Sequence, residues 1–574
     1  MHCESVSKWL KFVFIVVPLC LPGCRDSAEP AAKITPAIGV ASEESEAIPI
    51  RWIDRASESG VLFTYHNGEE QERNSIVETV GGGVAVLDVD LDGQPDLLFP
   101  GGGKFHDLQP VGRPAGLFRQ TSSWVFHEIS EVSGTNSSSF YSHGVAVSDF
   151  NSDGFPDYVI TGYGGFEIYR NSGDGTFVEV PVDIAKSECW WTSAGWGDIN
   201  ADGFSDLYLA QYVNWSPANH PSCLGSNDVP DVCPPRMFDG LTDTLLISQA
   251  DNSFTSEGSQ RGLVAKGRGL GVILVDIDQD QDLDIYVAND TTDNFLYLND
   301  GHGMLTEDGI AAGVAVDEFA HPDGSMGVDA ADYDQDGMID LWVTNYEAEA
   351  FALYRNRGES GFSYATPESG VAAIGDLFVG FGTAFHDFDS DGDADIVVSN
   401  GHVVQTARQS PIRQRPLMLV NTGKGFRPMK FDEGYFSEDH IGRGLATADF
   451  DNDGDLDLVI VHNQSPISLL ENKGAEPARC LRFVLKGIQS NRDATGATVL
   501  VQTSLRSILR PVTGGGSYLS HCDRTVAVCL QADETMELVE VRWPSGKVQQ
   551  IAGDRVSCDR LILLEGRQNP VRLP

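Results

Sequence analysis

Asp449-Phe-Asp-Asn-Asp-Gly-Asp-Leu-Asp457 places five carboxylates and one glycine in nine residues. Asp and Asn side chains compete for nearby backbone groups and Gly loosens the chain, so the stretch reads as a loop. Its flanks read otherwise. Gly444 opens a short run of small and apolar residues leading into Asp449, and Leu458-Val-Ile follows Asp457. Both flanks have the length and composition of strands.

The pattern recurs at Asp88, Asp149, Asp198, Asp276, Asp332 and Asp387, and successive first aspartates up to Asp449 are 61, 49, 78, 56, 55 and 62 residues apart. A period of that length suits a four-stranded propeller blade with its connecting loops. The longest interval holds Cys223 and Cys233 in a Pro-rich segment, and reads as an insertion on one face rather than a lost blade. A Gly stands five residues before the first Asp in six copies, with Ser193 in its place in the third, and a later strand returns as Ile168-Tyr-Arg-Asn171, Leu296-Tyr-Leu-Asn299 and Leu353-Tyr-Arg-Asn356. The expected fold is all-β: a seven-bladed β-propeller over residues 49–475, then a small β-sandwich or barrel over 476–574. In the latter, segments such as Thr498-Val-Leu-Val-Gln and Leu538-Val-Glu-Val-Arg-Trp alternate between turn residues.

Carboxylates this close repel one another unless a cation meets them. Positions 1, 3, 5 and 9 supply hard oxygen ligands, Gly at position 6 permits the sharp turn, and the carbonyl at 7 adds an oxygen, as in the first half of an EF-hand loop. The ligands are Asp88, Asp90, Asp92 and Asp96; Asp149, Asn151, Asp153 and Asp157; Asp198, Asn200, Asp202 and Asp206; and Asp276, Asp278, Asp280 and Asp284. The other three loops contribute Asp332, Asp334, Asp336 and Asp340; Asp387, Asp389, Asp391 and Asp395; and Asp449, Asp451, Asp453 and Asp457. Up to seven Ca²⁺ are expected, Mg²⁺ being less suited because it keeps its waters and demands stricter geometry. The competing reading is a set of acidic turns, and it is strongest in the fourth copy, where Gln281 replaces Gly.

The net charge of −45 excludes nucleic acid as a partner and opposes docking on anionic lipid. Lys8, Lys11 and the apolar run from Phe12 to Leu21 read as an export signal, too short to span a bilayer. Residues 1–23 resemble a lipoprotein signal ahead of Cys24, so the membrane is engaged through a lipid on Cys24 or, with ordinary secretory cleavage, not at all. Residues 24–48 read as a flexible linker. The expected location is the outer membrane or cell surface, the periplasm or the extracellular space. Seven cysteines lie beyond Cys24; Cys223 with Cys233 is the expected disulfide, and the odd number leaves a thiol over.

From Arg51 to Lys473 these repeats resemble the FG-GAP/VCBS superfamily, which includes the integrin α-subunit propeller. Asn491-Arg-Asp-Ala-Thr-Gly-Ala497, Gly514-Gly-Gly-Ser-Tyr-Leu-Ser520 and Val541-Arg-Trp-Pro-Ser-Gly546 resemble the ASPIC/UnbV domain. Their combination is similar to that in bacterial relatives of cartilage acidic protein, as are Glu78 before Gly81-Gly-Gly83 and Asn400-Gly-His402. The resemblance implies an extracellular calcium-binding protein, without a ligand or a reaction.

No Gly-x-Ser-x-Gly, His-Glu-x-x-His or phosphate-binding Gly-x-x-x-x-Gly-Lys occurs. His143, His386 and His402 read as packing or turn residues, and Trp190 and Trp191 as buried contacts rather than a sugar platform. Trp543 reads as a core anchor. No catalytic residue is assigned. The chain reads as a scaffold for an extracytoplasmic protein or glycan ligand; the alternative is a carbohydrate-active enzyme, a polysaccharide lyase or hydrolase, on a calcium propeller.

Overall fold

A computed structural model describes residues 50–136, 139–186, 189–225, 228–263, 266–407, 409–474, 479–531, 533–556 and 558–572. The export signal, Cys24 and the linker lie outside them. The described residues fall in one compact unit, Ile48–Pro574.

Each acidic loop joins two antiparallel strands, as its flanks require. The strands entering the loops are Ala85–Leu87, Tyr141–Ser148, Trp191–Gly197, Gly269–Val275, Val328–Ala331, Gly380–His386 and Gly442–Ala448, and each belongs to a sheet, here numbered 1 to 7, that has four strands except sheet 4, where Gly514–Gly515 adds a fifth. In every copy the ninth loop residue is the first of the second strand. The first strands adjoin one another in cyclic order, with sheet 7 beside sheet 1. Apolar side chains fill seven layers, one between each pair of neighbouring sheets; Leu97, Phe99 and Phe118 of sheet 1, for example, meet Val459, Val461 and Leu469 of sheet 7. The result is a closed, propeller-like ring.

The recurring glycine has a packing cause at the ring's inner wall. A Cβ on Gly327 would lie 2.0 Å from the carbonyl of Phe381 in the next sheet, and one on Gly444 would lie 2.5 Å from that of Gly82. Neighbouring inner strands approach too closely for a side chain. Sheet 7 draws its outer strand from the start of the described chain: Trp52–Asp54 pairs with Ser468–Asn472, which joins the two ends of the ring. The Cys223–Cys233 disulfide closes the insertion in sheet 3, between its second and third strands.

The C-terminal segment forms two four-stranded sheets around their own apolar core, with Trp543 fully buried in it. Cys480 and Cys529 face each other on neighbouring strands and form a second disulfide, whereas Cys522 and Cys558 are free thiols. From this sandwich Gly514–His521 enters the axis of the ring. Gly514 and Gly515 pair with Leu274 and Ile273 of sheet 4, and Val328 of sheet 5 donates to the Ser517 carbonyl. Thr383 of sheet 6 donates to Ser517 Oγ, which itself donates to Leu445 O of sheet 7. Val145 of sheet 2 donates to Leu519 O, Val86 of sheet 1 to His521 O, and Leu519 N to Ser193 Oγ of sheet 3. All seven inner strands hold this segment. Tyr518 passes through to the far face, where its hydroxyl donates to Val80 O at 2.7 Å. Beside it Arg443, buried and without a carboxylate partner among the described residues, donates to the carbonyls of Thr79, Gly401, Gly442 and His402 and stacks on Phe381.

Candidate metal centres

Within each loop the backbone N–H of position 6 donates to Oδ2 of the first Asp, at 2.8–3.2 Å in all seven copies. Positions 4 and 6 both have positive φ in every copy. This curl turns the side chains of positions 1, 3 and 5 inward. Carboxylate oxygens of Asp276, Asp278 and Asp280 lie within 4.8 Å of one another, as do those of Asp332, Asp334 and Asp336, and of Asp449, Asp451 and Asp453. Asp88 and Asp90 converge with Asp96, and Asp387 and Asp389 with Asp395. In the second and third loops Asn151 and Asn200 stand at position 3, and their amides donate to Asp153 and Asp202.

The loops fit a cation. Asp90, Asp149, Asp276, Asp334 and Asp387 each bury an Oδ1 with no hydrogen-bond partner, and a buried anionic oxygen without a donor is costly unless a positive ion meets it. Without one, burial and then the neighbouring carboxylates raise Asp88, Asp198 and Asp332 to about 6, Asp276 to about 7, and Asp149, where Asp493 adds to burial, to about 7. Asp387 rises to about 8 by burial, against the pull of Arg510. The all-oxygen donor set suits Ca²⁺.

The fourth loop keeps the shape of the others despite lacking glycine. Gln281 sits at φ +79°, a conformation an L side chain resists by roughly 1 kcal/mol. Gln281→Gly is therefore expected to raise stability by about 1 kcal/mol in the calcium-saturated chain, read by denaturant unfolding. A loss of stability would show that the side chain of Gln281 holds the loop.

Position 9 carries a further duty. In all seven copies its Oδ1 accepts a backbone N–H from the third strand, at 2.7–2.9 Å. In six its Oδ2 accepts the N–H of loop position 2. In five sheets an Asn of the third strand then reaches the sheet before, as Asn356 Nδ2 donates to Ile277 O, Asn421 to Tyr333 O and Asn472 to Phe388 O; in sheet 3 Ser248 takes its place and donates to Asp206 of its own sheet. In sheet 1 Gln120 plays the Asn's part by donating to Phe450 O of sheet 7.

Basic side chains also reach the loops. Arg119 pairs with Asp90 and Asp92, Arg355 with Asp334 and Asp336, and Lys473 with Asp451 and Asp453. From the C-terminal sandwich Arg482 pairs with Asp449, Arg506 and Arg510 donate to the carbonyls of Asp391 and Gly392, and Asp493 accepts from Ser148 Oγ and the Asp149 N–H. The sandwich thus rests on the loop-bearing face.

The other singled-out residues have structural surroundings. His143 is buried, stacks on Trp190 and meets the Tyr65 hydroxyl, and burial lowers it to about 3. His402 Nδ1 accepts the N–H groups of Val403 and Val404. Burial first, then Arg510, lowers His386 to about 4. Trp190 and Trp191 are fully buried. Glu78, raised by burial to about 7, accepts from Ser75 Oγ.

The family described as FG-GAP-like repeat matches residues 149–209, 276–343 and 332–398, and that described as ASPIC and UnbV matches 487–570. Cartilage acidic protein 1 of Mus musculus is 24% identical over 503 residues, 81% of this chain and 71% of the mouse protein. Its namesake in Xenopus tropicalis is 29% identical over 282 residues, 46% of this chain and 40% of the frog protein. Among solved structures, the BP39L lectin from Burkholderia pseudomallei superposes with a TM-score of 0.42 at 10% identity, covering 68% of this chain and 98% of that one. At that distance the likeness bears on neither ligand nor reaction. The chain carries FG-GAP-like repeats followed by a C-terminal ASPIC and UnbV domain, and is related to the cartilage acidic protein 1 of mouse and frog.

Proposed function

We propose that the chain is an exported, calcium-loaded scaffold in which the seven sheets are propeller blades and the exposed loops outside the metal sites receive a protein or glycan ligand. The observation that carries this reading is the buried carboxylate oxygen, without a hydrogen-bond partner among the described residues, at position 1 or 3 in five of the seven loops. Ca²⁺ would be held by positions 1, 3 and 5, with position 9 and the carbonyl at 7 adding oxygens, and would supply charge neutralisation rather than chemistry. The strong motifs all serve architecture: the loops, the Asn ties, and the segment on the ring axis. Export through residues 1–23, with Cys24 as a lipid site or with plain secretory cleavage, belongs to the same proposal.

Calcium titrated into the chelator-stripped chain is expected to saturate at about five to seven equivalents, with Asp387→Asn removing one. Fewer than about two equivalents would defeat the metal assignment. On a glycan array, binding should require Ca²⁺. Turnover of a polysaccharide by the purified chain would replace the scaffold with the enzymatic alternative.

A further inference from the structure

Between the loop-bearing face and the sandwich lies a cavity of about 500 Å³, bounded by sheets 1, 2 and 7 on one side and by the strands Arg479–Lys486 and Arg560–Leu564 on the other. Its volume is in the range of small-molecule sites. We propose that it binds a small amphiphilic organic anion, an apolar body ending in a carboxylate or phosphate.

The apolar part follows from the sheet. Along Arg479–Lys486 the residues facing the sandwich core are Leu481, Phe483 and Leu485, so the outward face carries Arg482, Val484 and Lys486. On the neighbouring strand Ile562 and Leu564 line the same cavity. The outward face of such a sheet is ordinarily polar when it meets water. Here its centre is Val484, Ile562 and Leu564, with basic residues at the margins, over a hollow that the described residues do not fill.

The sign of the charge follows from the pairing. Among the described residues Lys486 has no hydrogen-bonded or ion-paired partner, though it lies within electrostatic reach of Asp149 and Asp493. Arg492 donates to Gly487 O, and Arg560 donates to Asn452 Oδ1 and Gly93 O; neither is paired with a carboxylate. Arg482 and Arg524 are paired, with Asp449 and Asp493, yet each buries an Nε that has no acceptor, as His521 buries a partnerless Nδ1. On the other wall the acids are Asp88, Asp92, Asp149 and Asp449, all candidate metal ligands of the loops, Asp92 at position 5 and the others at position 1. The inference rests on the calcium reading here: with cations in those loops, Asp493 and Asp523 remain against five basic groups, and the lining favours an anion.

Isothermal titration of the full chain in millimolar Ca²⁺ tests this, with decanoate as the probe. One decanoate per chain is expected, with decyltrimethylammonium giving no binding. The double variant Lys486→Gln/Arg492→Gln should weaken decanoate about tenfold with an unchanged melting curve, since both groups lie at the margin. Val484→Trp, which fills the hollow, should abolish it. Equal affinity in the double variant, or preference for the cation, overturns the proposal. Calcium titrated into the same samples separates the two readings. Calcium uptake without decanoate binding overturns the cavity alone, and decanoate binding that survives a chelator undiminished overturns the role of calcium in setting its charge.

Discussion

Stripping calcium from the full chain is expected to lower its melting temperature by about 15–20 °C at neutral pH. A site saturated a hundredfold above its dissociation constant stabilises the folded state by about 2.7 kcal/mol. Seven such sites sum to roughly 19 kcal/mol, and an unfolding entropy of about 2.1 cal/mol/K per residue makes each kcal/mol worth about 1 °C in a chain of this size. The shift should depend on pH. In the metal-free loops the first aspartates titrate between about 6 and about 8, against about 3.9 when unfolded. The metal-free folded state therefore holds more protons than the unfolded state across that window. Its stability is greatest below the unfolded value and falls as pH rises through the folded ones. The loaded state behaves oppositely, because protons and Ca²⁺ compete for the same oxygens. The gap between loaded and stripped melting curves should widen steadily from pH 5 to pH 8. Scanning calorimetry with and without chelator reads both effects, and superimposed curves across that range would mean that the loops do without metal.

The acidic loops were legible because their signal is local: nine residues, repeated, with a turn-permitting glycine and strands on either side. The same locality made the alternation of strands and the insertion at Cys223–Cys233 readable. What was hidden depends on distant partners. Asp340 reads as a ligand, but its two oxygens also accept Asn356 N–H and Tyr333 N–H, and nothing in Asp-Gly-Met-Ile-Asp shows where the third strand will lie. Asn356 was visible as a repeated letter while its bond to Ile277 of the preceding sheet was not. Arg119, Arg355 and Lys473 belong to the loops only because the third strand folds back beside them. Trp52–Asp54, three residues with no repeat of its own, closes the ring from more than 400 residues away in sequence. Arg443, buried among carbonyls, violates the expectation that a buried cation finds an anion, and sequence has no sign for such a satisfied exception.

Gly514-Gly-Gly-Ser-Tyr-Leu-Ser520 reads in the sequence as a domain signature, and its place on the ring axis predicts the second large effect. A Cβ at Gly514 would lie 2.1 Å from the carbonyl of Trp196, and Gly515 adopts φ +79° with the Val272 carbonyl 2.5 Å from its added Cβ. Gly514→Val should therefore unseat the segment, since the atoms in its way are inner-strand backbone that the ring holds fixed. Each inner strand would lose a partner for groups already buried, at about 1–3 kcal/mol per stranded group. Amide hydrogen exchange should register this at Val145 and Val328, whose N–H groups bond to Leu519 and Ser517. Protection there should drop by at least about a hundredfold, with the outer strands little changed. Tyr518→Ala should cost about 3–5 kcal/mol, as expected for a fully buried aromatic, and Tyr518→Phe about 1 kcal/mol for the bond to Val80. The ordering matters more than any single value. If the segment only fills space, Tyr518→Ala should hurt and Gly514→Val should be absorbed by local repacking. If it ties the seven sheets together, the valine should loosen Val145 and Val328 alike, although they lie in different sheets. Unchanged protection at both amides in Gly514→Val would show that the ring closes on its own side chains and that the C-terminal sandwich is a passenger on it.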